Sequence, residues 1–470
     1  MRLRPGSIDV LSDAEVGAIH RGALRVLAEV GMGIESERIL HHLEAQGGRV
    51  DYGQQRVRYE SGVVERFLED SEAFDWGGIT PAVTASAGVY HGLYHDPDSG
   101  ELVPWTEERL AGYFALARAL PNVDGASMLG SRLNPGTPLE PRGERYYCWK
   151  YGAQDGATIH LDELCPFIYD LCQLRAKQIG KPLEEVFRGT AYLVPPLKLG
   201  RHEAYQFLYF WERGLQVHLG DMHAMGATTP VTLAGAVTLC LAEQLAVGLL
   251  QRAFFGGNRF GLGSSISVLD MRTMIYPYGR PEMALTNLAM AQMARHYGLP
   301  FGGHAALTDA KLPSCEVGAQ KALTAIPTLL AGGRLHVDAG LLSIDEVCSP
   351  LQLILDDEFC GALRHLCRQF QAGEEELALD LIAEVGPGGH FIASEHTVRH
   401  FRHEQWQPRL WSREMVNTWL KGDRALDVDQ ARAIYHDLLP SLETGSQLAP
   451  EEEEDILSLI KDAKRELGRH

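Results

Sequence analysis

Apolar positions recur along the chain at two periods, and each change of period marks a predicted element. From LSDAEVGAIH onward, Val16, Ile19, Ala23, Leu24, Leu27 and Val30 stand at helical spacing, and Ser12 with Glu15 forms a capping-box pattern at their start. A second amphipathic stretch, ERILHHLEAQGG, stops at Gly47 and Gly48. RVDYGQQRVRY then alternates as a short hairpin does, and GVVERFLED returns to the helical period. Together these predict an N-terminal helical subdomain with a short hairpin, residues 1–85.

The pattern then settles into one repeated alternation. Short Gly-bounded or β-rich runs (VYHGLYH, VDGASMLG, FRGTAYLVPPL, LQVHLGDMHA, RFGLGSSISV, LPFGGHAALTD and GRLHVDAGLL, with GATIHL weaker) alternate with longer helical patterns. Those helices include EERLAGYFALARAL, GRHEAYQFLYFWERG, PVTLAGAVTLCLAEQLAVGLLQRAFF and PEMALTNLAMAQMARHYG. Such alternation predicts an α/β chain with a parallel sheet. Seven or eight units without a Gly-rich dinucleotide fingerprint favour a closed (βα)8 TIM-type barrel, residues 86–430, over an open doubly wound sheet. A C-terminal helical extension, residues 431–470, ends in APEEEEDILSLIKDAKRELGRH. Its carboxylates lead and its basic residues trail, which suits the helix dipole and predicts a solvated terminal helix.

Composition narrows the function classes. With 43 Lys plus Arg against 62 Asp plus Glu, the formal charge of −19 argues against a nucleic-acid surface and against an anionic membrane. The start carries no secretory pattern, and no run of about 18 uninterrupted apolar residues appears, so a cytoplasmic location is expected. The eight cysteines are scattered and never two residues apart, which predicts buried thiols for most of them and no metal motif, a site built from distant Cys and His being left open.

Spacing also sets several chemistries aside. The chain has no GxxxxGK[ST] loop, no HExxH helix and no GxSxG elbow. If the barrel forms, ligand chemistry belongs where strands end, which selects Tyr94, His95, Tyr192, Asp221, His223, Ser264, Ser265, His304, Asp309, Lys311 and Asp338. The set is rich in aromatic, His and small residues and poor in Lys and Arg. With Met222 and Met225 beside it, this suits a cation bearing apolar methyls better than a phosphorylated ligand. Each residue also has a plainer use: a strand-end His as a satisfied structural group, Asp309 as a helix cap and Lys311 as a surface lysine.

Five stretches in order carry a resemblance: LSDAEVGAIHRGALRVLAEVGM, GATTPVTLAGAV, PFGGHAALTDAKLP, HVDAGLLSIDEVCSPLQLILDDE and GPGGHFIASEHTVRHFR. The chain resembles the trimethylamine methyltransferase superfamily of corrinoid-dependent enzymes, over roughly residues 10–435. The resemblance implies a βα barrel that passes a methyl group from a methylated amine to the Co(I) corrinoid of a separate small protein. The founding members of the family carry pyrrolysine in the cavity. This chain has standard residues only, as do relatives that use quaternary amines such as glycine betaine.

Chemistry explains that division. A betaine nitrogen is already tetrasubstituted and leaves as a neutral tertiary amine, so it needs no covalent activation. The enzyme has to desolvate the head, aim one methyl at cobalt and exclude water. The resemblance then implies substrate-binding roles for Tyr94, Tyr192, His223, His304, Asp309, His390 and Phe391: aromatic faces for the cation, histidines for a substrate carboxylate. Ser264 and Ser265 are the candidates for the cofactor side, no catalytic residue is assigned, and this chain itself is expected to bind no cofactor tightly. The expected partners are a cognate corrinoid protein and a quaternary amine, with a homo-oligomer left open. The chain departs from relatives after LTDAK, where it has Ser314, Glu316 and Gln320. Carnitine, proline betaine and butyrobetaine stay open beside glycine betaine.

Two other readings of the residues stand beside this one. A barrel lyase would use Lys311 as a Schiff-base nucleophile. A binding protein would retain the cavity to sense a quaternary amine without transferring its methyl. A zinc-dependent scheme needs Cys and His to converge on one ion, and the scattered cysteines speak against it.

Overall fold

The computed structural model describes all residues except 1–7, 79–81, 91, 129–139, 156–157, 160, 369–370 and 468–470. The first helix, Asp13–Arg25, begins as its sequence predicts: the Ser12 side chain accepts from the Glu15 backbone N–H and Glu15 reaches back to the Ser12 N–H. The predicted hairpin forms from Arg49–Asp51 and Arg56–Arg58, paired antiparallel.

This hairpin does not stand alone. Strand Met32–Ile34 pairs antiparallel with Arg56–Arg58 on one edge and parallel with Lys198–Leu199 on the other, so the N-terminal sheet takes its fourth strand from the middle of the chain. Its helices bury Ile19, Leu24, Leu43 and Phe67 in one hydrophobic cluster with Val237, Leu241 and Leu245 of the helix Leu233–Phe255. That helix is long and apolar enough to cross a membrane, yet 67% of its most apolar window is buried. It serves as a core helix packed against Asp13–Arg25 and Pro281–His296.

The central part of the chain alternates strand and helix, and its strands pair in parallel. Val83–Val89 pairs with Gly125–Met128, which pairs with Gln154–Asp155. On its other edge Val83–Val89 pairs with Arg334–Ala339, then Phe301–His304, then Leu262–Ser264. Thr190–Tyr192 pairs with His218–Gly220, and His223–Met225 with Ile266–Val268. The fold is α/β. The weak GATIHL prediction falls partly on residues 156, 157 and 160, outside the described residues; within it, Thr158 bridges in parallel to Thr190. VYHGLYH divides: its first residue closes the strand Val83–Val89, and Leu93–His95 belongs to a separate four-stranded sheet.

Side chains alternate across these strands, as a period of two requires. In Arg334–Ala339, Leu335 and Val337 are buried under helices with Ala325, Leu329 and Leu363, whereas Arg334 and His336 are exposed on the opposite side.

The terminal helix Pro450–Leu467 differs from the sequence expectation. Ile456 and Ala463 are fully buried, and Ile456 packs with Leu171 and Tyr146. Leu459 and Ile460 complete an apolar stripe at i, i+3, i+4 and i+7. Burying a side chain such as Ile456 contributes about 1.5–3 kcal/mol, more than the macrodipole effect that the charge pattern advertises. The helix is docked for that reason.

Candidate active site

A cavity of about 900 Å³ opens along the inner side of the parallel strands. It exists because the inward positions are small. Gly220, Gly263, Gly302 and Ser265 line it where bulky branched residues would otherwise fill the space. The remaining wall is aromatic and polar: Tyr192, Phe74, Phe260, His218, Met222, Asp221 and His304, with Arg259 and Arg334 where the strands begin.

His304, at the end of its strand, and His336, inside Arg334–Ala339, stand on neighbouring strands, paired residue to residue. His304 Nε2 lies 4.0 Å from one oxygen of Asp338 and His336 Nε2 lies 3.7 Å from the other. Thr84 and Ser86 hydroxyls fix the His336 ring at 3.0 Å each. The ring of Tyr278 meets His304 edge-on, with centroids 5.5 Å apart. Burial lowers the pKa of His304, Asp338 opposes that shift and His336 adds to it, so the neutral imidazole is favoured at neutral pH.

The turn between the short antiparallel strands Leu341–Leu342 and Val347–Cys348 completes this cluster at a cost in backbone strain. Ser343, Ile344 and Asp345 are all left-handed, with φ of 56°, 57° and 66°. A β-branched residue such as Ile344 in that region costs about 1–3 kcal/mol. The turn is held by Ser343 N–H donating to Ala310 O at 2.8 Å and Ile344 N–H to Thr308 O at 3.1 Å. It delivers the Asp345 carboxyl to the Tyr278 hydroxyl, with which it hydrogen-bonds.

Burial, and then the charge of Asp338, push Asp345 up to about 7. Its stabilising contribution is therefore present below the ordinary carboxyl range and is lost as pH rises through about 7. Asparagine tolerates the left-handed conformation and never ionises. Thermal melts of Asp345→Asn and parent protein should consequently diverge between about pH 5 and about pH 8, the variant gaining relative stability at the higher pH. A difference independent of pH would mean that Asp345 stays ionised in the folded protein.

The residues singled out from the sequence separate into three groups. Tyr192, Ser264, Ser265 and His304 line the cavity together. Asp309 stands behind the wall: it accepts from the backbone N–H of Tyr278 at 2.6 Å and of Gly279 at 3.3 Å, and so sets the loop that presents Tyr278 to His304. Lys311 is exposed and donates to the Asp309 carbonyl at 2.6 Å, without the desolvation a Schiff-base lysine needs.

Four expectations are corrected. Tyr94 is buried in the neighbouring sheet, edge-on to Trp105 and hydrogen-bonded to Tyr435, away from the cavity. The reason is that its strand, Leu93–His95, lies inside the separate four-stranded sheet. His223 is fully buried behind the wall, between Asp221 and Glu243, so it does not meet a substrate carboxylate. His390 and Phe391 are exposed on the turn between Leu379–Val385 and Glu395–Glu404 and do not line the cavity. Gly386 and Gly388, both at positive φ, make GPGGHF a surface turn of the helical region.

Sequence reasoning missed Arg334, His336, Tyr278 and Asp345. The alternation in RLHVDA already places Arg334, His336 and Asp338 on one side of a strand. No local pattern points to Asp345, which arrives through a strained turn.

Comparisons with known proteins agree on one family. The family model described as trimethylamine methyltransferase (MTTB) matches residues 184–468. The chain is 26% identical over 482 residues to trimethylamine methyltransferase MttB of Desulfitobacterium hafniense, covering 97% of this chain and 94% of that one. It is 28% identical over 484 residues to a glycine betaine methyltransferase of the same species, covering 98% of each. With trimethylamine methyltransferase MttB1 of Methanosarcina acetivorans it shares 30% identity over 446 residues, covering 88% of this chain and 86% of the relative. A match over more than half the chain, in relatives spanning almost its whole length, places it: the chain belongs to the trimethylamine methyltransferase family.

Proposed function

We propose that the protein moves a methyl group from a quaternary amine, glycine betaine or a close analogue, to the Co(I) corrinoid of a separate corrinoid protein. The observation that carries this reading is the cavity, whose wall combines aromatic rings, glycines and Asp221 with no lysine among its described residues. A trimethylammonium head is held by ring faces and by shape rather than by a hydrogen bond, because it has no N–H to donate. Tyr192, Phe74 and Phe260 supply the rings.

A carboxylate-bearing amine fits better than trimethylamine. Arg334 lies on the cavity wall without an ion-pair partner among the described residues, and a guanidinium offers a planar fork to a carboxylate. His304, neutral near pH 7, adds a hydrogen-bonding group at the opposite end. The chain's task is to strip water from the head, hold one methyl toward the opening at the strand ends and keep the nitrogen apolar on its other sides. The C–N bond then breaks with its electron pair going to nitrogen, and the Co(I) acceptor supplies the pair for the new bond to carbon.

The parallel pairings support a closed eight-stranded barrel as the scaffold. They run in chain order, the first strand, Val83–Val89, pairs with the last, Arg334–Ala339, and the Thr158–Thr190 bridge joins two neighbouring runs. In such a barrel a protein-sized acceptor approaches the face where the strands end. The reducing cytoplasm, where free thiols persist, is the compartment this reading expects.

Single-turnover methylation of a reduced Co(I) corrinoid, followed by its absorption spectrum, tests the proposal with a panel of betaines and with trimethylamine. Conversion with one betaine and none with trimethylamine is expected. Saturable betaine binding without conversion would replace the enzyme with a sensor, and silence in both assays would remove quaternary amines as ligands.

A further inference from the structure

From Asp221 in the cavity wall a cluster extends behind it, to His223 and Cys240, which the transfer reaction does not use. Asp221, His223 and Cys240 offer ligand atoms that all fall within 4.8 Å of one another. Asp221 and His223 flank Met222 just past the strand His218–Gly220, and Cys240 reaches them from the helix Leu233–Phe255. Residues remote in sequence thus converge on one point, which the scattered cysteines gave no reason to expect.

The separations suit a small cation. Asp221 Oδ2 is 3.8 Å from His223 Nδ1 and 4.0 Å from Cys240 Sγ. Around a tetrahedral ion with bonds of about 2.0 Å to N and O and 2.3 Å to S, neighbouring ligands stand about 3.3–3.6 Å apart. The two separations from Asp221 need to shorten by about half an ångström to reach those values, and all three ligand atoms already lie within 4.8 Å of one another.

His223 provides the independent observation. It is fully buried, and with Nε2 turned to Glu243 its Nδ1 has no hydrogen-bond partner among the described residues. A buried imidazole left so costs stability unless something else occupies the nitrogen. Its Nε2 lies 3.1 Å from Glu243 Oε1, and the other Glu243 oxygen accepts from the Leu197 backbone N–H. Metal-bound histidines almost always turn their second nitrogen to a carboxylate, which fixes the ring and frees the first for the ion. Asp221 is oriented in the same way: Gln244 Nε2 donates to it at 3.0 Å, and Gln244 is itself held by the backbone of Gly263.

We propose that Asp221, His223 and Cys240 bind a zinc ion, with Glu243 and Gln244 as positioning residues. Thiolate, imidazole and carboxylate together select zinc over magnesium or calcium. Three protein ligands leave a fourth position, and Asp221 is the member of the cluster that lines the cavity. That position faces water or an oxygen of a cavity ligand.

The test uses the full chain, stripped with a chelator and then loaded with Zn(II) for metal analysis or Co(II) for spectroscopy. About one ion per chain and a thiolate-to-cobalt charge-transfer band are expected. Cys240→Ser should abolish the band, while Cys315→Ser, at an exposed thiol, should leave it intact. Glu243→Gln should weaken uptake about 10–100-fold while retaining the band. If Cys240→Ser fails to fold, as judged by its melt, Asp221→Asn at the cavity wall should still lower affinity with a normal melt. Absence of the band in the parent protein, or its survival in Cys240→Ser, would overturn the proposal, as would unchanged affinity in Asp221→Asn.

Discussion

Gly302→Leu should leave the protein folded and reduce methyl transfer by about 100-fold or more, the loss that a displacement of about 1 Å in a reacting geometry produces. Gly302 stands on the inner side of the strand Phe301–His304, and a Cβ built there meets no heavy atom within 4 Å. Its backbone does not occupy the left-handed region, so a larger residue adopts it without strain. The leucine side chain therefore enters the cavity rather than the core. Melting temperature should move by a few degrees at most while the single-turnover rate collapses, and Gly302→Ala should fall between. A normal rate with the leucine variant would place the substrate outside this cavity, and a collapsed melt would show that the space is needed for packing.

The largest stability loss is expected at Asp356. Lys321 and Asp356 form an ion pair of 2.7 Å with both side chains 2% exposed. The carboxylate also accepts from the Gly340 backbone N–H at 2.8 Å and from Gln352 Nε2 at 2.9 Å. Asp356→Ala leaves the Lys321 charge buried without its partner, which costs about 3–5 kcal/mol. It also releases Gly340, whose φ of 79° turns the chain just after the strand that carries Asp338. Denaturant midpoints measure the loss. Replacing both partners together, Lys321→Met with Asp356→Leu, should recover most of it, because the penalty comes from the orphaned charge more than from the lost attraction. A double variant as unstable as the single one would show that the hydrogen bond to Gly340 matters more.

Much of the architecture was legible because it is local. Ser12 and Glu15 cap the first helix as their spacing requires, and the strand and helix alternation follows from apolar periods that persist over many residues. Tyr192, Ser264, Ser265 and His304 were reachable as strand-end residues, since position on a strand fixes which side a side chain takes. The rule failed for Tyr94 because that strand belongs to another sheet, and strand partnership is a long-range property. It failed for His223 because the break between His218–Gly220 and His223–Met225 interrupts the alternation: Asp221, in the break, reaches the cavity wall and His223, opening the next strand, goes behind it.

By itself, then, the sequence determined the family, the α/β alternation, and an inner wall built of Gly, Ser, His and aromatic residues, all properties carried by runs of neighbouring residues. Tertiary structure alone decided three things. It joined Cys240 to Asp221 and His223 across a helix and a strand. It brought Asp345 to Tyr278 through three left-handed residues. It also buried the stripe of Ile456 and Ala463 that the charged terminal helix conceals. Each of these depends on where distant segments meet, and that is fixed by the packing of the whole core rather than by any local pattern of residues.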